Sequence, residues 1–259
     1  MNTVALGAHV YGGVVAAWGV KNEPGVRVSF QSAANSAWST SQLIAVPAVA
    51  AGGSAEDLQL EGDGQGNAVV AWSQLNRATP GYRVIWAARF NGDLGQWEPP
   101  RIVSHTDGSD NMMPTLASDG EGRVALAWRR SDLINGLVTH SVWLSTNINS
   151  GWRNWSVPSR VSNAVPANGE RIGGLALGAA GRNQRVTVAW SARGPVTGSS
   201  IRIWGRSYGL GTYGEQIPAS PVIIADVGVD DRVRPMVAVD GAGIGWVAWD
   251  QFIADGRAP

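Results

Sequence analysis

A short apolar run ending in Ala-Trp occurs five times along this chain, and that recurrence limits the fold more than any other feature. The runs are VVAAW ending at Trp18, VVAW at Trp72, ALAW at Trp128, TVAW at Trp190 and WVAW at Trp249, spaced 54, 56, 62 and 59 residues apart. A repeat on the order of 50 residues marks propeller blades or other stacked units. Ala17, Ala71, Ala127, Ala189 and Ala248 directly precede the five tryptophans, and neighbouring residues on a strand point to opposite faces. Each such strand therefore has one bulky face and one nearly bare face. Sheets stacked face to face suit that asymmetry, the Trp of one covering the Ala side of another, and strands buried on both faces read as continuous apolar runs.

Three further segments recur with the run. Before it comes a short strand: TVALGA (3–8), DLQLEG (57–62), PTLASD (114–119), GLALGA (173–178) and PMVAVD (235–240). After it comes an alternating strand, VRVSF (26–30), YRVIW (82–86), HSVWL (140–144) or SIRIW (200–204). A fourth strand follows an aromatic residue, at Trp38, Trp97, Trp155 and Tyr213. The first two strands are joined by Asp-Gly-x-Gly at Asp63–Gly66, Asp119–Gly122 and Asp240–Gly243. Glycine supplies positive φ in a tight hairpin and Asp bonds nearby amides; a calcium loop would need more oxygen ligands than these turns carry.

The fold expected is all-β, a β-propeller of four-stranded antiparallel blades with four full repeats plus a half blade. We expect one domain over 1–259, with repeats at about 1–56, 57–113, 114–172, 173–234 and 235–259. The fifth repeat has two strands and then QFIADGRAP. An incomplete or open ring, a fragment of a longer propeller, is the expectation, and the edge of the last blade would favour self-association.

Composition narrows the partners. Twenty basic residues balance twenty acidic ones in 259, so no overall field draws the chain to nucleic acid or anionic lipid. Cysteine is absent, which removes thiolate metal sites, disulfides and cysteine nucleophiles. No apolar run approaches the roughly 20 residues of a membrane span. The start MNTVALGAHVYGG lacks the basic and apolar regions of a signal peptide. Neither a cofactor nor a metal is expected, since His9, His105 and His140 fall in different repeats.

The stretch DGQGNAVVAWSQ…YRVIWAARFNGDLGQWEPPRIVS…MMPTLASDGEGRVALAW resembles a group of bacterial secreted or surface-anchored repeat proteins with the pattern D-x-x-G-N-A-x-x-x-W. The resemblance implies export to the cell surface or beyond, as part of a larger parent protein. At the level of architecture the pattern is also similar to sialidase-like propellers and to fucose-binding propeller lectins. The S-x-D-x-G-x-x-W turn and the Arg-Ile-Pro segment of sialidases are missing, so their catalysis does not carry over.

Functional groups are expected on the rim where the second-to-third and fourth-to-first strand connections lie, because these loops vary in length. That rim carries Arg129, Arg130, Asp132, Glu170, Arg171, Arg193, Asp231, Arg232, Arg234 and Asp250. Arg forks and Asp acceptors suit a carboxylate-bearing or hydroxyl-rich ligand. Arg129, Arg130, Asp132, Arg171, Arg193, Asp231, Arg234 and Asp250 are the ligand-binding candidates, with Trp152 and Trp155 of GWRNW as a sugar platform. The leading expectation is a non-enzymatic, lectin-like module that binds a glycan or another surface ligand, with no catalytic residue assigned. The alternatives are a fragment of a sialidase-like glycoside hydrolase, with Asp132, Asp231 and Asp250 as conceivable carboxylates, and a structural or assembly module. Trp18, Trp72, Trp128, Trp190 and Trp249, with Trp86, Trp143 and Trp204 on the third strands, are expected in the core.

Overall fold

The computed structural model describes residues 4–8, 13–31, 37–47, 51–147, 155–162, 170–180, 185–194, 199–209, 220–228 and 232–252. Among them every regular element is a β-strand, and no helix is long and apolar enough to cross a membrane. The strands form five antiparallel sheets in sequence order, each an up-and-down meander. Blade one holds β1 (Val4–Ala8), β2 (Val14–Gly19), β3 (Gly25–Gln31) and β4 (Gln42–Ala45). Blade two holds β5 (Ala51–Gly62), β6 (Ala68–Asn76), β7 (Arg83–Asn91), β8 (Gln96–Trp97) and β9 (Arg101–Ile102). Both β8 and β9 pair with β7, so they are two pieces of one outer strand. Blade three holds β10 (Asp110–Ser118), β11 (Val124–Ile134), β12 (Leu137–Asn147) and β13 (Ser159–Arg160). Blade four holds β14 (Arg171–Ala180), β15 (Arg185–Arg193), β16 (Ile201–Gly209) and β17 (Val222–Asp226), and blade five β18 (Arg232–Val239) and β19 (Gly245–Phe252). Among the described residues there are thus four complete blades and a half blade, as the repeats predict. Inner strands touch in succession, β1 with β5, β5 with β10, β10 with β14 and β14 with β18.

The repeated turn works through its aspartate. One carboxylate oxygen of Asp63 accepts from the backbone N–H groups of Gln65 at 2.8 Å and Asn67 at 3.0 Å. Asp119 does the same for Glu121 and Arg123, and Asp240 for Ala242 and Ile244. Successive turns are also tied together, the N–H of Gly122 donating to the carbonyl of Asp63 at 2.9 Å.

Packing follows the Ala-Trp asymmetry. Trp72 lies with Leu58 and Leu60 against Val15 and Ala17 of the preceding blade, while Ala71 on the opposite face meets Leu126 and Trp128 of the next. Trp190 repeats the arrangement against Ala125 and Ala127. Each of these tryptophans is paired across the sheet with another, Trp72 with Trp86, Trp128 with Trp143 and Trp190 with Trp204. Trp72, Trp86, Trp128 and Trp190 are buried. Trp143 and Trp204, on the third strands like Trp86, are only partly so. Trp18 is half-buried. Trp249 corrects the expectation most, with 38% of it exposed. Its strand β19 pairs with β18 alone among the described strands, and no third strand brings a ring beside it.

The inner strands of blades two, three and four are bulged near their starts, whereas β18 pairs with β19 without a register shift. Register shifts occur at Glu56/Gln59, Met112/Thr115 and Ile172/Gly174. Asp57 and Met113 adopt positive φ there, at 52° and 55°. A bulge leaves one residue unpaired and turns its side chain away from the ladder. These bulges all stand at one rim of the propeller.

Candidate functional site

The bulged ends of the inner strands, the ends of the second strands and the starts of the third strands converge on that rim. Side chains there stitch blade to blade. The carboxylate of Asp57 accepts from the hydroxyl of Ser73 at 3.1 Å and from the backbone N–H of Met113, in the next blade, at 3.0 Å. Arg129 Nη1 donates to the carbonyl of Ile172 at 3.1 Å. Ser191 accepts from the N–H of Gly174 at 2.8 Å and donates to the carbonyl of Val233 at 2.9 Å. Ser73, Arg129 and Ser191 occupy one repeat position, directly after the core Trp, so the strand that buries the ring also delivers the stitch.

Two titratable clusters result. In the first, Arg83 grips Asp110 with two nitrogens, at 2.9 and 2.7 Å, and reaches Glu56 at 3.0 Å. Burial pushes the Asp110 carboxyl up, but the Arg83 fork outweighs it and the group is held below the ordinary carboxylate range. In the second, His140 on β12 donates its backbone N–H to the carbonyl of Glu170 at 2.8 Å. Its Nδ1 accepts from the N–H of Ile172 at 3.0 Å, which leaves the imidazole proton on Nε2. Burial, reinforced by the nearby charge of Arg129, pushes His140 down to about 4, so the ring is neutral at neutral pH. Burial pushes the carboxyl of Glu170 up.

Beside His140 a depression of about 440 Å³ opens between blades four and five. Arg171, Arg193, Arg234, Ser191 and His140 line it over a floor of Ile172, Ile201 and Val233. Three of the arginines predicted from the sequence are thus brought together. Others are not. Arg130 is engaged by Asp132 and Asp107, both at 2.9 Å, and sits over the ring of Trp143. Asp132 is therefore spent on an ion pair. Arg129 stands one blade away, tied to Ile172. Asp250 accepts from the backbone N–H of Arg234 at 3.1 Å, next to the depression. Trp155 packs against the core between blades two and three, apart from the rim residues. Asp231 and Trp152 lie outside the described residues. Asp57, Arg83, Asp110 and His140 were missed as site residues by sequence reasoning. Arg83 and His140 share one repeat position, three residues before Trp86 and Trp143, whereas Asp57 and Asp110 occupy no common position.

Among the described residues no group of three His, Cys, Asp or Glu side chains has the arrangement of a metal site. No family model and no curated protein sequence matches the chain. Solved structures do. An α-L-arabinanase of Penicillium chrysogenum, complexed with arabinobiose, is similar at 11% identity and a TM-score of 0.57, over 98% of this chain and 78% of that one. The GH93 α-L-arabinofuranosidase of Fusarium graminearum, also with arabinobiose, is similar at 13% identity and a TM-score of 0.56, over 96% and 74%. A PL25 ulvan lyase bound to -[GlcA(1-4)Rha3S]- gives 11% and 0.58, over 92% of this chain and 57% of its own. Likeness at such identity establishes the fold. It also corrects the leading expectation from the sequence: the propellers this chain is similar to are glycan-cleaving enzymes, which favours the enzymatic alternative over a non-enzymatic binding module.

Proposed function

We propose that this chain is the propeller of a glycan-cleaving enzyme, and that its substrate enters at the rim between blades three, four and five. The observation that carries the reading is geometric: His140, whose backbone N–H is held by the carbonyl of Glu170 at 2.8 Å, lines a depression of about 440 Å³ together with three arginines. Glycoside hydrolysis needs one carboxyl kept protonated to donate to the leaving oxygen and another kept ionised. Burial pushes Glu170 up, toward the first role. The grip of Arg83 keeps Asp110 ionised, and because that ion pair occupies it, its part is to place negative charge near the site and not to attack. His140, neutral and fixed through Nδ1, supplies a donor from Nε2 for a sugar hydroxyl. In the step proposed, Glu170 gives its proton to the glycosidic oxygen as that bond breaks. Water bonds to the anomeric carbon, and its proton restores the acid. The likeness to arabinan-cleaving propellers supports a polymeric carbohydrate as substrate, and the export implied by the repeat pattern suits a polymer met outside the cell.

The test is release of reducing ends from arabinan and from neutral and uronate-containing polysaccharides, with ultraviolet absorbance of unsaturated uronate read in parallel to separate elimination from hydrolysis. Hydrolysis is expected, falling by about 100-fold or more in Glu170→Gln, the scale of general acid catalysis. Absence of any cleavage across the panel, or an undiminished rate in Glu170→Gln, overturns the reading.

A further inference from the structure

We infer that the depression between blades four and five binds an anionic sugar residue, one bearing a carboxylate or a sulfate, as a subsite of the cleavage reading above on which this inference rests. Its lining combines Arg171, Arg193 and Arg234 with a neutral His140, and none of the described side chains that line it is a carboxylate, Asp250 beside it being engaged by the backbone N–H of Arg234. Several other guanidinium groups are matched to carboxylates, among them Arg27 with Glu23, Arg83 with Asp110, Arg89 with Glu98, Arg123 with Asp119 and Arg130 with Asp132. Arg171 and Arg234 are exposed and hold no ion pair with a described residue. Like charges gathered over an apolar floor repel one another until an anion arrives.

A guanidinium fork matches the paired oxygens of a carboxylate or sulfate and forms shorter, stronger bonds to them than to a hydroxyl. The floor of Ile172, Ile201 and Val233 offers the carbon face of a sugar ring an apolar surface. The volume, about 440 Å³, falls within the roughly 300–1,000 Å³ of ordinary ligand sites. Ser191 is occupied by its two backbone bonds, so it fixes the floor, and Arg171 and Arg234 are left to recognise the charge. A neutral glycan would leave Arg171 and Arg234 without a charged partner among the described residues. The chemistry favours a charged glycan by at least about tenfold, the effect of one well-made charge-assisted contact.

Calorimetric titration of the whole chain tests this with oligogalacturonate and a sulfated galactan oligosaccharide against neutral arabino- and galacto-oligosaccharides of equal length. Charged sugars are expected to bind at least about tenfold more tightly, with the advantage shrinking as salt rises. Binding of the oligogalacturonate alone assigns the charge to a uronate, and of the sulfated sugar alone to a sulfate ester. Arg171→Gln/Arg234→Gln, two exposed positions, should erase the preference, and Arg101→Gln should retain it. Equal affinity for neutral sugars, no binding of any sugar, equal binding of single-stranded DNA of matched charge, or a preference that survives the double variant overturns the inference. Cleavage of neutral arabinan without anionic preference would keep the proposed function and remove this subsite. Anionic preference without cleavage would do the reverse.

Discussion

The carboxylate of Asp57 in blade two holds the backbone N–H of Met113 in blade three at 3.0 Å. Both residues are bulged and both have positive φ, so this bond joins two strained turns across a blade junction. Removing the carboxylate leaves a part-buried N–H without its acceptor, which costs about 1–3 kcal/mol. Asp57→Ala should lower unfolding free energy by that amount in urea titration. Asp57→Asn retains an acceptor oxygen and should recover most of it. Equal losses in the two variants would show that the bond contributes nothing.

Trp128 and Trp249 occupy the same repeat position with unequal surroundings. Trp128 is fully buried and donates through Nε1 to the side-chain oxygen of Asn111 at 3.0 Å. Truncating a buried ring of this size costs about 3–5 kcal/mol. Trp249, 38% exposed and without a flanking third strand among the described residues, has less to lose. Trp128→Ala should therefore destabilise far more than Trp249→Ala in chemical denaturation, and similar midpoints would mean that blade five is covered in solution.

The blade architecture could be read from the sequence because it is written in local terms. Ala71-Trp72 and its copies fix which face is bulky, and the Asp63 and Asp119 turns fix each hairpin without reference to the rest of the molecule. The site was only partly legible. Loop position sufficed to collect Arg171, Arg193 and Arg234 at one rim. It could not tell Arg130, consumed by Asp132 and Asp107, from its neighbours, since pairing depends on distances across loops. His140 was passed over because no other histidine accompanies it. Its role arises from burial and from the N–H of Ile172 in the next blade, a contact made only once the blades are stacked.

Gly64 and Gly120 are equivalent turn residues with φ near 78° and 75°. A Cβ on Gly64 would run into the backbone carbonyl of Gly120 in the next blade, whereas one on Gly120 meets nothing within 4 Å. Gly120→Ala should therefore cost only the conformational penalty, about 1 kcal/mol. Gly64→Ala must in addition push two blades apart. Thermal denaturation should show a clearly larger drop for Gly64→Ala; matched melting temperatures would refute close contact between successive turns.

His140 gives the fold a pH dependence of defined sign. Its folded value is pushed from 6.5 down to about 4, by burial first and then by the charges of Arg129 and Arg171. Between these values the unfolded chain binds a proton that the folded chain refuses. The stability from neutral His140 is fully present above about 6.5 and is lost as the pH falls toward 4. Glu170 and Glu61, pushed up by burial from 4.5, act oppositely, lowering stability as the pH rises through their folded values. Asp110, held down from 3.8, adds a loss only at still lower pH. The contribution of His140 is isolated by difference. His140→Asn cannot titrate, so the gap in unfolding free energy between wild type and this variant should narrow as the pH drops from 7 to 4.5, while both retain the carboxyl contributions. A gap independent of pH would mean that the imidazole is as easily protonated in the folded protein as in the unfolded chain.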